Sequence, residues 1–154
     1  VLKVLFLDID GVLLNEQDYR TNGSRVIPQE RVDLIKQACD RTGAVIVVSS
    51  TWRYSDETRD RLTMMGLSLH PDWRTIRSRV EGALIMAEIR GDEIKQWLDA
   101  HPEVASFAIV DDDSDMRPEQ MSRFVQTQFS TGVTPAHVER LVAILQPHAA
   151  VEGE

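Results

Sequence analysis

LFLDIDGVLL, from Leu5 to Leu14, sets a short apolar run against two acids and a glycine. The run begins at Val4 and reaches Ile9 without polar alternation up to its acids. A strand buried on both faces reads this way, because helices cover both sides of a parallel sheet. Asp8 and Asp10 fall at its C-terminal end, the edge where α/β sheets gather ligands. Two carboxylates so spaced reach one cation if the chain turns, and Gly11 permits the turn. Hard oxygen ligands suit Mg²⁺, which also binds substrate phosphate. A solvated strand end carrying Asp and Gly is the plainer alternative.

Outward from this stretch, strands alternate with helices. AVIVV (Ala44 to Val48) and FAIV (Phe107 to Val110) repeat the pattern of a buried strand, and Phe124 to Phe129 reads as one more. Pro28 opens a helix over QERVDLIKQACDRT, where Val32, Ile35 and Cys39 share a face and Gly43 supplies the stop. Further helices are predicted over Ser55 to Met65, Asp92 to Ala100 and Pro135 to Leu145. The order implies an α/β fold: a doubly wound parallel sheet with helices on both faces. The region from Leu67 to Ile89 gives no clear pattern. One domain is expected over residues 1–147, with residues 148–154 a frayed tail.

Composition narrows the class. With 154 residues, 42% hydrophobic and 27% charged, the chain is an ordinary globular protein. No apolar run approaches bilayer length, and Asp8 and Asp10 interrupt the stretch that resembles a signal peptide. No membrane association is expected. The single cysteine, Cys39, lies on a predicted apolar helix face and reads as a buried structural thiol, which fits a cytoplasmic setting. A net charge of −8 opposes general adhesion to nucleic acid but not a local basic site. Arginines do bunch, at Arg53, Arg59 and Arg61 and again at Arg74, Arg77 and Arg79, although solvated surfaces explain most such groups.

Three further pieces carry chemistry. Ser49 and Ser50 close the second strand in VIVVSSTWR, where hydroxyls and backbone N–H groups can hold phosphate oxygens, although Ser and Thr commonly end strands without a ligand. Arg90 in IRGDEIKQWL is a fixed positive charge just before a helix, which taken alone reads as an exposed flanking arginine. VDDDSDM then masses Asp111, Asp112, Asp113 and Asp115 after a buried strand. So many acids repel one another unless a cation or solvent relieves them. A metal site is the better reading, with one or two of these acids free to cap the next segment.

The order strand–DxDG, strand–Ser, basic residue, strand–DD resembles the haloacid dehalogenase (HAD) superfamily of phosphohydrolases over nearly the whole chain. DIDGV (Asp8 to Val12) resembles its first motif, while VVSSTWR and RGDEIKQWL are similar to a subset related to the HAD domain of RNA-repair proteins. Many members carry Lys where this chain has Arg90, which supplies the charge without an ammonium's compact geometry. The resemblance implies Asp8 as nucleophile through an aspartyl-phosphate and Asp10 as general acid, then base. It implies Mg²⁺ held by Asp8, the Asp10 backbone carbonyl and Asp112, with Asp111 beside it, and phosphate held by Ser49, Ser50 and Arg90.

The resemblance is to a capless member. Asn15 to Ile27 leaves room only for a loop, and Thr51 to Ile89 for a helix and an irregular piece. Such members act on phosphates of large molecules or gain a lid by oligomerisation, so monomer and homo-oligomer both stay open. The leading expectation is phosphate-monoester hydrolysis, with a nucleic-acid end as substrate. A small-molecule (nucleotide or sugar) phosphatase closed by a partner subunit, a protein phosphatase and a non-catalytic phosphate-binding module are the rivals. Arg53 is expected to reach a second phosphate of a polymer, and Trp52 either stacks on a base or anchors the helix from within.

Overall fold

The opening apolar run becomes β1 (Leu2–Leu7), the central strand of a five-stranded parallel sheet in a computed structural model that describes residues 1–75 and 90–147. With β2 (Val45–Val48), β3 (Leu69–Arg74), β4 (Val104–Asp111) and β5 (Phe124–Gln126), the sheet order is β3-β2-β1-β4-β5. Side chains of β1 divide between two cores, which is why its sequence shows no polar alternation. Leu5 and Leu7 pack with Val32, Ile35, Leu62 and Leu141, from α2 (Gln29–Thr42), α3 (Asp56–Met64) and α5 (Pro135–Leu145). Val4 and Phe6 pack on the opposite face with Ile94 and Trp97 of α4 (Arg90–Asp99). The doubly wound sheet with helices on both faces is therefore present. Cys39 is buried with its thiol pushed up to about 12 by that burial, so it stays an inert protonated group.

Three segments differ from the sequence reading. Asn15 to Ile27 is not only a loop: it holds α1 (Glu16–Asn22), started by an Asn15–Asp18 capping box. This helix buries no residue fully, so it shows no apolar stripe to read. Within Leu67 to Ile89, LHPDWR forms the edge strand β3, whose position tolerates Pro71 because one side needs no ladder bond. The strand expected to run to Phe129 stops at Gln126, where Thr127 turns to donate its hydroxyl to Gly11 O at 2.6 Å. Arg77, Arg79 and the tail 148–154 lie outside the described residues. No cap domain appears among the described residues. None of their helices is long and apolar enough to cross a membrane.

Candidate active site

β1 and β4 are neighbours, with Leu7 opposite Val110, so the residues that follow them meet at one edge of the sheet. Asp8 extends the ladder by donating its N–H to Val110 O at 3.1 Å, and its side chain is buried. Asp111 ends β4, fully buried, and Asp112 follows it. One carboxylate oxygen from each of Asp8, Asp111 and Asp112 lies within 4.8 Å of the others. Burial, then repulsion from Asp111, holds the Asp8 carboxyl well above the usual range, with Arg90 pulling the other way. Burial and Asp111 push Asp112 up to about 6. Three hard donors whose mutual repulsion is this poorly relieved fit a divalent cation such as Mg²⁺.

Gly11 makes the cluster possible. Its φ is +80°, and a Cβ there would lie 2.2 Å from Asp112 Cγ. The turn after Asp10 and the approach of Asp112 thus depend on the same missing side chain.

Arg90, the first residue of α4, spans two of the acids. Its Nη1 stands 3.1 Å from Asp8 Oδ1 and 2.7 Å from Asp111 Oδ2. Burial works against its charge, but Asp111 and Asp8 outweigh that and raise its pKa. The helix start is fixed by Asp115, whose Oδ2 accepts the Arg90 N–H at 3.0 Å. Asp115 therefore caps α4, a helix that precedes the acids in the chain, and not the segment after them, while Asp113 is exposed. Lys95 pairs with Asp99 at 2.7 Å, away from the acids. Among the described residues, Arg90 is thus the cation beside Asp8.

Ser49 and Asp8 follow Val48 and Leu7, which are paired in register, so both reach the same edge. Ser49 is fully buried, and its Oγ has no hydrogen-bond partner among the described residues; Arg90 Nε has none either. Unpartnered donors this deep cost stability, of order 1–3 kcal/mol each, and are rare without a ligand to receive them. Ser50 Oγ accepts the Trp52 N–H at 3.2 Å and caps the 3-10 turn Thr51–Tyr54.

Asp10 stands outside the three-acid cluster. Its Oδ1 accepts hydrogen bonds from the Tyr19 hydroxyl and, at 3.1 Å, from Trp52 Nε1. Burial, then the bond to Asp10, raises the Tyr19 pKa and keeps the phenol a donor. Trp52 is half-buried, anchored by its N–H instead of wholly presented to solvent. Tyr19 escaped the sequence reading because α1 itself left no trace there.

The expectation for Arg53 is corrected. Its side chain points inward, 3% exposed, and pairs through Nη2 with Glu93 Oε2 at 2.7 Å. Nη1 donates to the carbonyls of Ser49 and Ser50 at 3.2 and 3.0 Å. A guanidinium so enclosed does not reach a substrate phosphate; it ties the serine loop to α4. Glu93, also unread in the sequence, makes this burial tolerable.

A family model described as the HAD domain in Swiss Army Knife RNA repair proteins matches residues 4–138, from β1 into α5. No curated protein and no solved structure matches the chain.

Proposed function

This chain belongs to the family of HAD domains in Swiss Army Knife RNA repair proteins, and we propose that it is an Mg²⁺-dependent phosphate-monoester hydrolase acting on nucleic-acid ends. The observation that carries this reading is the meeting of Asp8, Asp111, Asp112 and Arg90 at one strand edge, beside the unpartnered Ser49 hydroxyl.

Asp8 is the nucleophile. Its carboxylate oxygen attacks phosphorus, the bond from phosphorus to the ester oxygen breaks, and Asp10 protonates the departing oxygen. Water then attacks the phosphorus of the aspartyl-phosphate while Asp10 takes its proton. The bond to Asp8 breaks, and inorganic phosphate leaves. Arg90 and Ser49 hold the phosphoryl oxygens through the transfer, Arg90 by charge and Ser49 by its free hydroxyl. Asp8, the Asp10 backbone carbonyl and Asp112, with Asp111 beside them, would hold Mg²⁺, which neutralises the repulsion between a carboxylate nucleophile and an anionic ester. Each side chain here has a role that the geometry allows.

A screen of phosphate esters, including 3′- and 5′-phosphorylated oligonucleotides, tests the proposal with Mg²⁺, with EDTA and in Asp8→Asn. Hydrolysis should need the metal and vanish in the folded variant. Metal-independent turnover, or substantial turnover by Asp8→Asn, would refute it. Hydrolysis of nucleotides or sugar phosphates without oligonucleotide turnover would give the site to small molecules instead.

A further inference from the structure

A cavity of about 740 Å³ opens between the α1–α2 connection, the 3-10 turn and α3, with Arg25, Trp52, Tyr54, Glu57 and Arg61 in its wall. Its volume is that of a small-ligand site. It adjoins the reacting centre through one side chain, since the Trp52 indole that lines it also donates to Asp10.

The wall is basic in a protein of net charge −8. Arg61 rests its guanidinium 5.3 Å from the Trp52 ring centroid and donates to Arg25 O at 3.2 Å. Neither Arg25 nor Arg61 has a carboxylate partner among the described residues, although acids outnumber bases 25 to 17 in the chain. Glu57 is exposed and pairs with neither. Two guanidiniums without an acid partner among the described residues, that of Arg61 beside an indole, offer bidentate phosphate contacts. Tyr54, 60% exposed, adds an aromatic surface for a base.

We infer that this cavity receives the nucleotide next to the scissile phosphate of a nucleic-acid end, with Arg25 and Arg61 on its phosphodiester. The inference rests on the phosphatase reading and assigns the substrate recognition that the buried Arg53 does not supply.

Binding decides it. A short, fluorescein-labelled, 3′- or 5′-phosphorylated oligonucleotide is titrated in EDTA and read by anisotropy, taking whichever end binds tighter. Arg25→Gln with Arg61→Gln should weaken binding about tenfold, and less as salt rises from about 50 to 200 mM. Arg59→Gln, an arginine of α3 absent from the cavity wall, should not weaken it comparably. Unchanged binding in the double variant, or an equal loss in Arg59→Gln, would overturn the inference. Turnover of the matching mononucleotide with Mg²⁺ is followed alongside. Its presence with unchanged oligonucleotide binding condemns the cavity alone, and its absence in every ester condemns the phosphatase reading while binding still judges the cavity.

Discussion

The carboxylate of Asp112 fills the space that a side chain on Gly11 would need, 2.2 Å from the position of its Cβ. Gly11→Ala must therefore displace Asp112 or the turn, and its φ of +80° is unfavourable for alanine besides. A metal held as proposed would lose the Asp112 carboxylate. We expect Mg²⁺ affinity to fall about tenfold or more, equivalent to about 1.4 kcal/mol. The rise in melting temperature on adding Mg²⁺ reads it, and an undiminished rise would contradict the crowding at Gly11.

Arg53 and Glu93 predict a different outcome. Losing a charge-assisted hydrogen bond within a buried pair costs about 1.5–3 kcal/mol. Arg53→Met should cost about that much in chemical denaturation, since it also frees the carbonyls of Ser49 and Ser50. Arg53→Met combined with Glu93→Leu should cost less than the sum of the two single variants, because both lose the same bond. A double variant less stable than the sum of its parts would place the stabilisation elsewhere.

The acid cluster gives the metal-free protein a pH dependence of defined sign. Asp8 and Asp112 bind protons more tightly folded than unfolded. Their contribution is therefore most favourable at low pH and is lost as pH rises through the folded value, from about 4 to about 6 for Asp112. Discounted for the partial exposure of Asp112, the loss is about 1 kcal/mol, or about 3 °C in a chain of this size. Asp112→Asn should thus melt about 3 °C higher than wild type at pH 7.5 without metal and equally near pH 4. With Mg²⁺ the order should reverse if Asp112 is the ligand proposed, because the variant would lack it. Scanning calorimetry at both pH values checks the sign.

What the sequence disclosed follows from which interactions are local. β1, β2 and β4 announce themselves because both faces are buried, and α2 and α5 because each has an apolar stripe. Asp8, Ser49, Arg90 and Asp111 are legible for the same reason: each stands at or just beyond an element end that periodicity marks. β3 is hidden by its edge position and α1 by its exposure. The inward turn of Arg53 is invisible because its partner Glu93 lies 40 residues away, and only the packing of α4 brings them together. An arginine beside a phosphate motif looks outward in sequence, whatever the fold later does with it.

Tyr19 and Trp52 carry the last prediction. Both donate to Oδ1 of Asp10, which in the proposed mechanism would direct the proton to Oδ2, the oxygen with no such donor among the described residues. On the proposed mechanism they would be positioning residues, holding the acid where the leaving oxygen departs. Tyr19→Phe keeps the ring against Phe129, with centroids 5.6 Å apart, and so preserves the seating of α1. It should lower kcat about 10- to 100-fold on an alkyl phosphate, whose alkoxide needs the proton. Nitrophenyl phosphate, with a leaving group stable as an anion, should lose far less in kcat/KM, because that parameter reports only the steps through departure of the first product. A leaving-group series measured for wild type and Tyr19→Phe separates this role from a structural one. Equal losses across the series would mean that Tyr19 supports α1 and nothing more.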